Sequence, residues 1–486
     1  MRHLPMVSNF NMLSGSAMRL SQTQLNLQQT HTVTLPLSRR LGSLDALRGL
    51  TIAAMLLVNN PGSWSNIYWP LEHAAWNGWT FTDLVFPFFL FMVGISMMYS
   101  FPKRLAAGAS RRELFAHVVR RSAALMLLGY WGASWTRLFW TGMDSGGVLS
   151  IVLRIGFVAG VTGAVVLLAG TRFPKRWWII FGAGAACFFA AAVGSGFDDS
   201  LLIRIASLRI PGVLVRIAWC YVLASAIYFL TPSRRDLIRW IVVMLAIYAI
   251  WMLWIPIPGF GTPDLSMGFP NADTPAGDLF SNWAFFIDYH VFGSHTWSFR
   301  QLHDADGVLI WSFDPEGLIS TIPATASVLF GILTGQWLRR EDTDQQTKLT
   351  GLFVAAGWLL LAGLIMSIWM PINKRIWTSS YTVFTAGMAL ATLAILYHAI
   401  DMKGLNRWAT PFIGYGRNAI FAFVASGMMA QVLGQIRVGD TSLKGAIYNA
   451  LPGSPEFASF LFGIAFVSLW AAVAWMMDRK SLYFKV

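Results

Sequence analysis

The chain has 486 residues, 56% of them hydrophobic and only 12% charged, with 36 Lys and Arg against 23 Asp and Glu for a formal net charge of +13. A soluble domain carries about a quarter charged residues, so the composition excludes an ordinary soluble globule and predicts an all-α, polytopic transmembrane helical bundle. The basic excess does not mark a nucleic-acid binder, because it is dispersed as pairs between apolar segments (Lys103–Arg104, Arg120–Arg121, Arg234–Arg235, Arg339–Arg340) in the positive-inside manner.

Residues 1–42 are rich in Gln, Ser, Thr and Asn, lack a signal-peptide core and read as a disordered cytosolic leader. Residues 43–480 read as a single transmembrane domain. The ~20-residue criterion for crossing a bilayer gives about twelve spans, at 44–60, 80–101, 114–134, 148–170, 176–197, 212–230, 239–257, 317–338, 350–370, 379–400, 411–434 and 456–477. With the basic turns 102–113, 171–176, 231–239, 339–348 and 401–407 placed inside, both termini face the cytosol and 481–486 forms a short tail. The long connection 258–316 carries Asp288, Asp304 and Asp314 among its aspartates, together with His290, His295 and His303. Its aromatics, including Trp283, Phe285, Trp297 and Trp311, predict a folded cap on the external face. Cys187 and Cys220 each sit in an apolar run, with neither a disulfide framework nor metal-ligand spacing, so no metal is expected.

Charges inside apolar spans are costly and default to function; they are Asp45, Arg48, Asp83, Arg154, Arg216 and Glu316. Asp45 and Arg48, three residues apart on one helix face, either form a structural ion pair or present a cation to an anion. Asn59 and Asn60, before Pro61–Gly62, are either a helix stop or two amides facing a site near the outer surface. Arg48 lies eleven residues earlier, roughly 16 Å lower at ~1.5 Å per residue. His73, among Trp64, Trp69, Trp76 and Trp79, is either a solvated side chain in an aromatic belt or a catalytic imidazole. Asp83 with Thr80 and Thr82 is expected to cap the second span and Pro87 to kink it. Glu316 reads either as a carboxylate in a helix first turn or as an orienting group.

Six ordered blocks carry a more specific signal: SLDALRGLTIAAMLLVNNPGSW, LEHAAWNGWTFTDLVFPFFLFMVG, LRIPGVLVRIAWCY, FDPEGLISTIPATASVLFGILTGQWL, PINKRIWTSSYTVFTAGMA and PFIGYGRNAIFAF. From Ser43 to about Met477 the chain resembles the heparan-α-glucosaminide N-acetyltransferase family, in particular its bacterial branch from N-acetylglucosamine-utilisation gene clusters. The resemblance implies a multi-pass enzyme of the bacterial inner membrane. It would use acetyl-CoA as co-substrate and acetylate a glucosamine-type amine on the extracytoplasmic side. It maps the active-site histidine onto His73 and its asparagine partner onto Asn59. Arg48, Arg216, Asn373 and Lys374 would hold CoA, and Asp45, Asn60, Asn77, Asp83, Glu316 and Asn418 would support the site or the substrate. Val215 stands where the family usually has Gln, and residues 135–207 contain two apolar segments beyond a family core of about ten spans. The large N-terminal lumenal domain of the lysosomal relatives has no counterpart, which favours an amino sugar or short oligosaccharide over a polymer. The expected partners are that acceptor and membrane lipids, with a homodimer allowed and no nucleic acid.

A protonated amine cannot attack a thioester, so a base must take its proton, and a neutral imidazole suits that task. His73 serves either as this base or as an acetyl carrier, with Asn59 donating to the thioester oxygen. Two other readings compete: a transporter for N-acetylglucosamine or a related sugar, and an O-acetyltransferase of an envelope polysaccharide.

Overall fold

The structure, a computed structural model, describes residues 41–135, 182–183, 186 and 207–483. The expected leader up to residue 40, Arg154, Cys187, the end of the tail and nearly all of the expected spans 148–170 and 176–197 lie outside the described residues.

The framework is helical: α1 (Gly42–Asn59), α2 (Val85–Ala106), α3 (Arg111–Trp135), α4 (Val213–Leu230), α5 (Arg234–Trp254), α6 (Trp283–Phe292), α7 (Thr321–Leu338), α8 (Gln345–Met366), α9 (Ser379–Leu396), α10 (Thr410–Arg417), α11 (Ala419–Gln435), α12 (Leu443–Asn449) and α13 (Pro455–Arg479). Six helices among the described residues are long and apolar enough to cross a membrane, namely those at Phe81–Ala106, Val213–Leu230, Arg234–Trp254, Gln345–Met366, Ser379–Met402 and Pro455–Arg479. The strictly all-α expectation needs one amendment. Two short antiparallel ribbons occur, Gln301–His303 with Leu309–Ser312 and Arg437–Val438 with Thr441–Ser442.

One sequence expectation is corrected. The single span at 411–434 is broken at Asn418, whose backbone (φ −117°, ψ 32°) leaves helical geometry between α10 and α11. Asn competes with the helix for local backbone partners, which makes it a natural break point. Pro87 is the third residue of α2, directly after the helical turn Phe81–Leu84, and the Asp83 carbonyl four residues before it, which a proline cannot bond, accepts from the Tyr381 hydroxyl.

Helices α2 and α9 are central, whereas α5, α8 and α13 are peripheral and turn apolar side chains outward, with Trp358 68% and Val242 59% exposed. Apolar surface of that extent on several helices suits hydrocarbon as the surrounding solvent. Helices α2 and α7 are packed backbone to backbone. A Cβ built at Gly94 would lie 2.0 Å from the Val328 carbonyl oxygen, and one at Gly331 would lie 1.9 Å from that of Phe91. Small residues at such crossings replace the hydrophobic drive that lipid removes. Gly331→Ala is therefore expected to destabilise the protein by about 1–3 kcal/mol, the usual range for overpacking, read as a lowered thermal unfolding midpoint in detergent. Gly357→Ala is the control, because its Cβ would meet nothing within 4 Å.

The connection 258–316 is folded. Its helix α6 and the first ribbon enclose an aromatic core in which Phe285 lies 5.0 Å from Trp311 and 4.9 Å from Phe313, ring centre to ring centre. Trp76, from the loop after α1, joins this core 5.7 Å from Phe285. The cap and the His73 loop thus share one core.

Candidate active site

The loop between α1 and α2 folds back on the start of α2 through one carboxylate. Thr80 and Asp83 form a reciprocal capping box, in which Asp83 Oδ2 accepts from the Thr80 amide at 3.0 Å and from the Ala74 amide at 3.0 Å. Its other oxygen, Oδ1, lies 2.6 Å from His73 Nδ1. The capping role read from the sequence is present, and the same side chain also orients the histidine. A buried carboxylate surrounded by donors is acceptor-only, so His73 carries its proton on Nδ1 and keeps a lone pair on Nε2. Thr82, expected to share the capping, is buried instead with its hydroxyl unpaired among the described residues. The Tyr381 hydroxyl donates to the Asp83 carbonyl at 2.5 Å and ties the dyad to α9.

The turn 371–378 closes over Nε2. Gly78 N–H donates to the Ile372 carbonyl at 2.7 Å, and the Asn373 amide donates to Asn77 Oδ1 at 3.0 Å. Asn373 Oδ1 accepts from the Ile376 amide, and its own N–H donates to Thr378 Oγ1. The turn is completed by Trp377 at φ 52°, unusual for a bulky residue and held by its burial against Phe86 and Tyr381. This places Lys374 Nζ 3.5 Å from His73 Nε2. Burial, then the Lys374 charge, pushes the His73 pKa down to about 4, outweighing its bond to Asp83. Burial and the neighbouring Arg375 lower Lys374 to about 8. At neutral pH the pair is a neutral imidazole beside an ammonium, with 31% of the His73 side chain still accessible.

A third group supports the turn. Arg209 grips Asp314 through two bonds of 2.7 and 2.6 Å and reaches Glu316 at 2.5 Å. Glu316 precedes α7 by five residues, so it is an ion-paired turn residue and not a first-turn helix carboxylate. Burial raises its pKa, but Arg209, Lys374 and Arg216 outweigh that and hold it below the ordinary value. Asp288, fully buried on α6, accepts from the amides of Asp314 and Leu318 at 3.2 Å each. A Cβ at Gly317 would lie 2.1 Å from its carboxylate, so only glycine fits there. Arg216 is also fully buried. One of its nitrogens donates to the Gly317 carbonyl at 2.7 Å and to Ser320 Oγ, while Nε and Nη1 have no hydrogen-bond partner among the described residues. The Trp377 ring lies 5.4 Å from its guanidinium carbon.

The other expected site residues lie elsewhere. Arg48 bonds Asp45 at 3.2 Å, Ser96 Oγ at 2.9 Å and the Gly416 carbonyl at 3.3 Å. Ser96 is thirteen residues beyond Asp83, roughly 20 Å along α2 at ~1.5 Å per residue. Asn418 is buried at the α10–α11 junction. Asn60 returns its side-chain amide to the Leu56 carbonyl at 2.8 Å, ending α1. Asn59 is exposed at the last position of α1, and none of the hydrogen bonds that build the His73 group reaches it. The chain therefore has two polar centres at different depths, one around His73 and one around Arg48.

No protein-family model matches the chain. It is 25% identical to heparan-alpha-glucosaminide N-acetyltransferase of Mus musculus, over 92% of this chain and 61% of the mouse protein. It is 24% identical to the protein of the same name from Homo sapiens, over 97% of this chain and 64% of the human one. Over most of its length the chain is thus similar to heparan-alpha-glucosaminide N-acetyltransferases, which supports the resemblance read from the sequence blocks. It spans less than two thirds of the length of these curated relatives.

In the folded chain, the sequence blocks HAAWNG and PINK, some 300 residues apart, form one wall of the site through Asn77, Gly78, Asn373 and Lys374. Sequence reasoning did not single out Arg209, Arg300, Arg375 or Tyr381. Arg209, Arg375 and Tyr381 stand inside the quoted blocks, so the blocks were the available signal. Nothing local distinguishes Arg300.

Proposed function

We propose that this protein is a membrane-embedded acetyltransferase that moves the acetyl group of acetyl-CoA to the amine of a glucosamine-type sugar. The observation that carries the reading is the Asp83–His73–Lys374 arrangement: a histidine with Nδ1 fixed by a buried carboxylate and a neutral Nε2 facing a buried ammonium. His73 Nε2 takes a proton from the attacking amine as the C–N bond forms. It returns that proton to the CoA sulfur as the C–S bond breaks. Lys374 is the near cation for the developing oxyanion. Asn59, assigned to the thioester oxygen by resemblance, would have to approach from the end of α1. Direct transfer is preferred to an acetyl-histidine, because base catalysis needs no second half-reaction.

Arg48, already bonded to Asp45, Ser96 and the Gly416 carbonyl, is our candidate for the CoA phosphates, reached from the cytosolic side. The His73 centre would then face the extracytoplasmic side and the acceptor, with both termini cytosolic and the protein in a bacterial inner membrane.

The test uses proteoliposomes with acetyl-CoA sealed on one side and glucosamine on the other. N-acetylglucosamine is expected on the acceptor side, dependent on acetyl-CoA. Movement of the sugar without acetylation would replace this reading with transport.

A further inference from the structure

Beside the His73 centre lie two arginines that the acetyl-transfer reading does not use. The guanidinium carbon of Arg300, at the start of the cap ribbon, lies 3.7 Å from the centre of the Phe269 ring, and that of Arg375 lies 5.8 Å from the same ring. Neither makes an ion pair with a carboxylate among the described residues, and the buried Nε of each has no hydrogen-bond partner there. Arginine at such sites normally meets a carboxylate or another oxyanion in bidentate fashion. Like charges at one ring disfavour each other, and burial together with Arg375 lowers the Arg300 pKa.

The local charge balance has the same sign. Arg209, Arg216, Arg300, Lys374 and Arg375 surround Asp83, Asp288, Asp314 and Glu316. Asp288 is pushed up to about 8 by burial and by Asp314, so it is protonated at neutral pH and does not offset a cation. At Phe269 the two arginines meet without an ion-paired carboxylate among the described residues, and Asp83 and Glu316 act on Arg375 only at longer range. That ring is also close to the reaction centre. Trp76, three residues after His73, packs on Phe269 at 5.0 Å, and Arg375 directly follows Lys374.

Resting on the acetyl-transfer reading, we infer that Arg300 and Arg375, gathered at Phe269, form a seat for an oxyanion substituent of the acceptor sugar, holding its amine at His73 Nε2. The acceptor class is then an amino sugar bearing phosphate, sulfate or carboxylate. The donor's phosphates are a poorer occupant, because the Arg48 centre roughly 20 Å away along α2 offers them a separate cation.

The experiment compares glucosamine, glucosamine 6-phosphate and glucosamine 6-sulfate as acceptors for the full-length protein in zwitterionic nanodiscs, with Arg300→Gln and Arg300→Lys. The wild type is expected to favour the anionic acceptors by about tenfold or more in kcat/KM, equal to roughly 1.4 kcal/mol. Arg300→Gln should abolish that ratio and Arg300→Lys should retain part of it. Three results overturn the seat: a wild-type ratio near one, a ratio unchanged in Arg300→Gln, or a raised KM for acetyl-CoA in place of the acceptor effect. Loss of the ratio in nanodiscs of anionic lipid, with Arg300→Gln insensitive to the lipid, assigns the arginines to a lipid headgroup and also overturns it. If no acceptor is acetylated, the transfer reading fails by itself. The seat is then decided by thermal shift: stabilisation by glucosamine 6-phosphate but not glucosamine, lost in Arg300→Gln, keeps it, and equal response discards it.

Discussion

Replacing His73 with alanine is expected to lower acetyl transfer at pH 7 by about 10²–10⁴-fold, the usual contribution of a positioned general base. The fold should survive, because the imidazole remains 31% accessible and belongs to none of the apolar cores. Asp83→Asn should reduce the rate less than His73→Ala while also lowering stability. An amide can no longer accept from the Ala74 and Thr80 amides and from His73 Nδ1 at once, so the capping box and the tautomer are both disturbed. Single-turnover rates with the unfolding midpoint of each variant separate the two effects. A His73→Ala protein that is correctly folded and fully active would remove the imidazole from the mechanism.

Lys374→Ala should change the shape of the pH profile as well as its height. In the wild type, burial and then the Lys374 charge hold His73 down at about 4, so the active neutral imidazole persists well into the acid range. Removing the ammonium lets the imidazole rise toward its ordinary value of ~6.5. The active form is the unprotonated one, so a raised pKa means that activity is lost at a higher pH, and the acid limb of kcat moves up. On the alkaline side Lys374 titrates near 8, so a wild-type rate that uses its charge falls as pH rises through that value. The variant should lack that fall. The rate at the optimum should drop by about 10²–10³-fold if the ammonium stabilises the oxyanion, as for the loss of one such donor. The acceptor's own amine adds an acid limb to kcat/KM that no substitution moves, so kcat at saturating acceptor is the quantity to follow. An unshifted acid limb in Lys374→Ala would show that Lys374 does not act on His73.

The helical framework was legible because apolar length is a local property. Each helix from α1 to α9 that was read as a span begins within about five residues of its expected start, since about 20 apolar residues are needed wherever the bilayer is crossed. The fault at Asn418 was not legible. A single asparagine within an apolar run is weak evidence against a helix, and its departure depends on what α10 meets on α1. Where α2 begins, and so where Pro87 falls within it, is set by the Thr80–Asp83 box, which depends on the preceding loop.

The candidate site divides in the same way. The residue types, the spacing of Asp45 and Arg48, and the capping role of Asp83 are properties of the sequence, because each is confined to one helix or its start, whereas the contact of Asp83 with His73 needed the folded loop. The tertiary structure alone brought Lys374 to His73 across 301 residues, paired Arg209 with Asp314 and Glu316 across 105 and 107, and moved Glu316 out of a helix turn into that pair. It also left Arg300 and Arg375 without an ion pair among the described residues, and it left Asn59 outside the group its block implied. Hydrophobic periodicity fixes which segments enter the membrane, but a charge finds its partner only after helices and cap have packed. Electrostatic complementarity therefore had to be read from contacts that no local spacing encodes.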